Sequence, residues 1–253
     1  MITFGIEGIR HFDNVNKSGY YLDKNIELGY TFNTCNALSK KLLKAGHKQK
    51  FYNGDRECWA IHMDEVSAGI GGIDDKWADD VELFFISSHG GNDEETDNPT
   101  ITYDIDKSDW EGNGVFWRLG NKSLKWLMLS TCSGIRLKNV MACIDIFQGL
   151  HGICAAYGES HDMPELGEDL GEYLTDRDYT VAEAWFEAQD TWNPFNFNHP
   201  IVICANDINQ YDDKGNLINI LSTLNLDCLT PQGFLTHDVP RSKIVGLHWV
   251  WVE

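Results

Sequence analysis

Four short, nearly continuous apolar runs constrain this chain more than any other feature: VELFFISS (81–88), LKWLMLST (124–131), GICAAYG (152–158) and PIVICAN (200–206). Runs of this length suit strands buried on both faces of a parallel sheet. Helical spacing lies between and before them. Residues 29–45 place Phe32, Leu38, Leu42 and Leu43 at helical intervals, with Gly46 as a stop, and 137–149, 166–174 and 180–190 read as further helices. Residues 2–9 (ITFGIEGI) read as a first strand, 48–52 as a short strand, and the C-terminal IVGLHWVWVE as a late edge or hairpin strand. A hairpin is expected over 101–118, turning around Glu111 to Gly114, and a second turn over Tyr211 to Asn216. No linker, low-complexity tract or internal repeat interrupts the pattern. The expectation is one α/β domain over 1–253, with a mostly parallel central sheet flanked by helices. Its functional loops should lie at the C-terminal ends of the strands.

Charge narrows the partners. The 253 residues carry 20 Lys and Arg against 39 Asp and Glu, a net charge of −19. A protein that coats nucleic acid or an anionic membrane needs basic surface, so neither partner is expected. Acidity leaves cationic partners, metal ions or plain solubility. The seven cysteines (35, 58, 132, 143, 154, 204 and 228) are scattered without a C-x-x-C pair, which indicates neither a zinc site nor a disulfide framework. Several sit inside apolar runs, where a free cysteine acts as a small core residue. With no secretory signal at the N-terminus and no apolar stretch of the ~18 residues needed to span a bilayer, a cytoplasmic protein with reduced thiols is expected.

Two of the apolar runs end in chemistry-bearing residues. VELFFISS is followed by His89-Gly90-Gly91, and LKWLMLST by Cys132-Ser133-Gly134. In a parallel sheet both sets emerge on one edge. Cysteine chemistry needs a thiolate, and a nearby imidazole can take the thiol proton and later protonate a leaving group. Acyl transfer also needs backbone N–H groups aimed at the developing oxyanion. Gly90 can present its amide with no Cβ in the way, and the amide of Cys132 is the natural second donor.

Strand–His–Gly followed by strand–small–Cys–x–Gly resembles the caspase-like cysteine peptidases, a group that includes caspases, legumain, gingipain, clostripain, separase and the CHAT domains. The matching segments are FFISSHGG (84–91) and LMLSTCSG (127–134), with His89 and Cys132 43 residues apart. The match is local, covering about residues 80–160. It implies a caspase-like three-layer sandwich, with His89 as general base and acid and Cys132 as nucleophile. Gly90 and Cys132 would form the oxyanion hole. Caspases carry Ala before the cysteine where this chain has Thr131, closer to CHAT and separase-like members. The activity implied is cleavage of a peptide or amide bond. The same dyad would serve a non-proteolytic acyl-transfer or biosynthetic tailoring enzyme, and an inactive binding module would keep the same sheet edge. A lipase-like reading of His-Gly-Gly lacks a G-x-S-x-G elbow.

Around this core, Asp93, Glu94, Glu95 and Asp97 follow His89 closely. They could attract a Lys or Arg side chain of a substrate, bind Ca²⁺, or form a solvated loop. Asp104, Asp106 and Ser108 imitate the start of a calcium loop but lack the later Gly and Glu of an EF-hand. No resident cofactor or metal is otherwise indicated. Glu159, His161 and Asp162 follow the third run and could line a substrate cleft or cap a helix; Asn206 and Asp207, after the fourth, have the same standing. Among the nine tryptophans, Trp185, Trp249 and Trp251 suit core or interface. Trp110 and Trp117, near the dyad, suit a cleft wall.

Overall fold

The computed structural model describes residues 1–12, 27–103, 111–175, 179–190, 198–207, 227–234 and 238–252. Strands β1 (Thr3–Gly8), β2 (Lys48–Gly54), β3 (Leu83–Ser87), β7 (Trp126–Ser130), β8 (Gly152–Ala156), β9 (Pro200–Asp207) and β12 (Ile244–Trp251) form one seven-stranded sheet. Its order is β12-β9-β8-β7-β3-β1-β2. The four apolar runs are its central strands, and every residue of β3 and β8 is buried. The pairs β2–β1, β1–β3, β3–β7 and β7–β8 are parallel, whereas β8–β9 and β9–β12 are antiparallel. Strands β4 (Gly90–Asn92), β5 (Pro99–Thr102) and β6 (Glu111–Asn113) form a small antiparallel sheet directly after β3, and β10 (Leu229–Thr230) pairs with β11 (Gly233–Phe234).

Three α-helices cover one face: α1 (Thr31–Lys44), α2 (Leu166–Thr175) and α3 (Val181–Asp190). Thr31, Thr34, Cys35, Leu38 and Leu42 form the buried stripe of α1 at i+3/i+4 spacing. Leu43 falls outside it and is exposed. α2 approaches α1 closely because its glycines permit it. A Cβ on Gly167 would lie 1.9 Å from the Thr34 carbonyl oxygen, and one on Gly171 2.5 Å from the Lys41 Cβ. The opposite face is covered by short 3-10 segments and the small sheet. Here the predicted helix over 137–149 is instead a 3-10 stretch, Leu137–Ile146, broken at Asn139. The expected hairpin is also redistributed: Glu111–Asn113 is a strand pairing with β5, not a turn.

The antiparallel β9 has a positional consequence. Asn206 and Asp207 end a strand that runs opposite to β8, so they lie at the sheet edge away from the ends of β3, β7 and β8. They do not join the cleft. Asn198 and His199, which precede β9, come to that edge instead. Trp110, Asp104, Asp106, Ser108 and the turn over 211–216 lie outside the described residues.

Candidate functional site

Register brings the two motifs together. Ser87 of β3 pairs with Ser130 of β7, and the Ser88 N–H donates to the Ser130 carbonyl at 3.2 Å. His89 and Cys132 therefore leave adjacent parallel strands two residues beyond a matched pair. Both line a small cleft of about 50 Å³, together with Ser88 and Thr131 from the same strand ends and Ser160, His161 and Asp162 from the loop after β8. That volume is close to the space of one or two waters. A larger groove of about 470 Å³ on the outer face of α1, lined by Lys40, Lys41 and Lys44, contains neither cysteine nor histidine.

Cys132 is half-buried. Its Sγ lies 3.3 Å from the Ser160 carbonyl oxygen, to which it donates, and accepts from the Ser160 N–H at 3.4 Å. Ser133, the next residue, adopts a left-handed backbone (φ +47°), which a non-glycine residue holds at a cost of about 1–3 kcal/mol. Its N–H donates to the Gly158 carbonyl at 2.6 Å and the Ile135 N–H to Ala156 at 3.0 Å, so the turn after the cysteine is stitched to β8 and its following loop. No acceptor among the described residues takes the Cys132 N–H.

His89 is held by burial below the ordinary histidine value of 6.5, which makes it a neutral imidazole at pH 7. Its Nε2 is buried and has no hydrogen-bond partner among the described residues. The Thr102 N–H donates to the His89 carbonyl at 2.9 Å. By the alternation of an antiparallel ladder, His89–Thr102 is then a bonded pair and Gly90–Ile101 a non-bonded one, so the Gly90 N–H turns away from β5. Only glycine fits here: a Cβ would lie 2.7 Å from the Thr100 carbonyl oxygen and 2.8 Å from the Thr131 Cβ.

The acidic loop is built differently from a bare charge cluster. Asp93 accepts from the Thr96 N–H and hydroxyl, the Glu95 N–H and the Asn113 amide, folding its own turn. Asp97, also left-handed (φ +59°), pairs with Arg136 and accepts from the Asn139 amide at 2.9 Å. That pair ties the loop after His89 to the segment after Cys132. Glu94 and Glu95 are exposed, and no acid of this loop lines the cleft. Among the described residues no group of three or more His, Cys, Asp or Glu could hold a metal ion.

Of the remaining predicted site residues, His161 lines the cleft, its N–H donating to the buried Asn198 side chain at 2.8 Å. Asp162 also lines it, but its carboxylate accepts from the Tyr30 N–H at 2.6 Å, at the start of α1. Glu159 is exposed and outside the lining. Trp117 is a correction. It is fully buried in the core beneath the small sheet and presents no surface to a substrate, because Gly114–Phe116 turns the chain inward there. Sequence reasoning missed Ser160, Asn198 and Leu28, the last of which also lines the cleft. None carries a motif.

A family model described as "Domain of unknown function (DUF6345)" matches residues 6–253. The chain belongs to the DUF6345 family. Among solved structures, this DUF6345 chain is similar to the Drosophila initiator caspase Dronc, at 8% sequence identity and a TM-score of 0.45, over 79% of this chain and 78% of that one. None of the curated proteins compared matches the DUF6345 chain. No helix among its described residues is long and apolar enough to cross a membrane.

Proposed function

We propose that this protein is a cysteine-dependent hydrolase of peptide or amide bonds, with Cys132 as nucleophile and His89 as general base and acid. The observation that carries the reading is the Ser87–Ser130 register, from which both side chains reach one cleft. The resemblance of FFISSHGG and LMLSTCSG to caspase-like cysteine peptidases supports it. In the resting geometry the thiol donates to the Ser160 carbonyl, so attack requires that bond to be exchanged for one to His89. Neutral His89 takes the thiol proton, sulfur bonds to the carbonyl carbon, and the carbonyl electrons move onto oxygen. In this reading the Gly90 and Cys132 N–H groups stabilise that oxyanion. His89 then gives its proton to the leaving nitrogen, and water hydrolyses the thioester by the reverse sequence. The field of a chain with net charge −19 favours basic substrates.

Assay against fluorogenic peptide amides that differ in the residue before the cut tests this. Cleavage is expected, with Lys or Arg favoured over Asp or Glu; an equal preference removes the charge argument, and no cleavage removes the peptidase reading. Because burial lowers the His89 value, its base form persists below pH 6.5. The acid limb of kcat/KM should therefore fall below that pH in wild type, and His89→Ala should lose turnover. A limb at or above 6.5 would count against His89 as the base.

Gly90→Ala is expected to lower kcat/KM by about 100-fold or more, the usual effect of losing one oxyanion donor, because the added Cβ meets Thr100 and Thr131. Gly91→Ala, whose Cβ would meet only the Thr100 hydroxyl at 3.6 Å, should be tolerated. Equal activity of the two variants would place the oxyanion elsewhere.

The small cleft favours one second reading, acyl transfer from a compact ester or thioester to an amine through the same thioester. Adding hydroxylamine to the assay would distinguish it by the hydroxamate formed.

A further inference from the structure

Beyond β1 the chain runs through Ile9, Arg10, His11 and Phe12 beside the His89 loop. Ile9 extends the parallel pairing by one step, its N–H donating to the Ser87 carbonyl at 2.9 Å. Asp55 then fixes the two residues after Ile9. It is the first residue after β2, holds a left-handed backbone (φ +44°), and its Oδ1 accepts from the Arg10 N–H at 2.6 Å and the His11 N–H at 2.9 Å. Two charge-assisted bonds to consecutive amides leave Phe12, the residue beyond them, little freedom. Phe12 is 7% exposed and packs on His89, with ring centroids 4.6 Å apart and planes inclined by 55°.

A catalytic imidazole is ordinarily oriented by a third group that bonds one of its nitrogens. At His89 the buried Nε2 has no such partner among the described residues, and Phe12 is the aromatic ring among them that packs on the imidazole. We propose that Phe12, braced by Asp55, is the positioning residue of His89: an aromatic wall that fixes the imidazole plane and excludes water from one side of it. The inference rests on the reading of His89 as the base. It gives the site a steering element made of packing rather than a third carboxylate, and it makes Asp55 part of the machinery through two backbone amides.

The surrounding charges are accounted for. Across the cleft lie Cys132, His161 and Asp162. On the Phe12 side, Arg10 and His11 are paired with Glu27 at 2.9 and 3.1 Å, and His11 also lies 3.9 Å from Asp55. Burial alone accounts for the lowered His89 value, so removing the wall should return that value towards 6.5.

The test titrates His89 by NMR in histidine-labelled protein, with His11 and His161 assigned by substitution, and measures kcat and KM across pH. Phe12→Ala should raise the His89 pKa and lower kcat by about tenfold or more with little change in KM, since small misplacements of a catalytic group are costly. Phe12→Tyr should retain both values. Phe12→Leu should keep the pKa but not the full kcat, separating shielding from steering. Should Phe12→Ala fail to fold by circular dichroism, Phe12→Leu and Asp55→Gly carry the test, since glycine keeps the left-handed backbone but removes the acceptor of both amides, and Asp55→Gly should lower kcat. An unmoved His89 titration with unmoved kcat in these variants overturns the proposal. A titration that moves in a protein without any Cys132-dependent turnover leaves the packing role standing and overturns the hydrolase reading instead.

Discussion

Replacing Cys132 with alanine is expected to abolish turnover, a fall of at least about 1,000-fold, and to remove the fast phase of alkylation by iodoacetamide at neutral pH. The contrast with the other six thiols makes the experiment decisive. Cys35, Cys58, Cys143, Cys154 and Cys204 are buried. Burial pushes the thiols of Cys35, Cys58 and Cys154 well up and that of Cys143 to about 12, so none supplies thiolate at pH 7. Cys228 is half-buried but lies outside the cleft lining. Mass spectrometry of briefly labelled protein should therefore find Cys132 modified ahead of Cys228, the other half-buried thiol, and His89→Ala should slow labelling of Cys132. The alanine variant should melt close to wild type, because among the described residues the half-buried Sγ forms hydrogen bonds only with the Ser160 backbone. Turnover that survives in Cys132→Ala would remove the nucleophile from the mechanism altogether.

The second large effect concerns stability and lies at the other edge of the sheet. His151, 1% exposed and just before β8, faces carboxylates on both nitrogens: Asp227 at 2.7 Å through Nδ1 and Asp238 at 3.0 Å through Nε2. Asp227, fully buried, also accepts from the Trp126 indole at 2.6 Å, and Asp238 from Lys125 at 2.6 Å. Burial works against charge on this imidazole, but the two carboxylates outweigh it and raise its pKa above the ordinary 6.5. The bond from His151, more than that from Lys125, holds Asp238 down at about 2. His151→Ala would leave Asp227 buried without its cation, which typically costs about 3–5 kcal/mol, or a fall in melting temperature of roughly 10 °C for a chain of this size. The pH dependence has a definite sign. A group whose value rises on folding contributes fully below its unfolded value and loses that contribution as pH climbs through the folded one. Wild-type stability should thus decline above pH 6.5 through this group, and the His151→Ala curve should lack that decline. Parallel curves for the two proteins would show that the pair is not coupled to folding.

Strand-forming runs were the most legible part of the sequence, because burial on both faces demands unbroken apolar residues; β3, β7 and β8 fall within them, and β9 exceeds its run by one residue, Asp207. The two motifs were legible for the same reason: each sits where such a run stops. Direction was not legible. PIVICAN reads alike in a parallel or an antiparallel strand, and its reversal moved Asn206 and Asp207 away from the cleft while bringing Asn198 to the backbone of His161, a cleft residue. Residues 137–146 have helical periodicity yet fold as 3-10 turns around a break at Asn139, whose amide goes to Asp97. Local spacing cannot register that distant demand. Trp117 was misplaced because an aromatic residue near a site in sequence carries no sign of whether it faces the cleft or the core. The acidic run after His89 looked like free charge, but Asp93 and Asp97 are committed to hydrogen bonds and an ion pair. Phe12 gave no signal at all, since its role depends on Asp55, far along the chain at the end of β2.

The reversal of β9 also shapes how this architecture can change. The chain leaves β8 and re-enters the sheet at β9 on the same edge, since Ala156 pairs with Pro200. The described residues between these two, including α2, α3 and the loop that touches Cys132, leave and rejoin the sheet at neighbouring strand ends, as a cassette packed on α1. Exchanging that cassette between family members would alter what covers Cys132 while leaving the five-residue β8–β9 ladder and the His89 loop in place. If the proposed dyad acts, substrate range would then diverge within one fold without any change to Cys132 or His89.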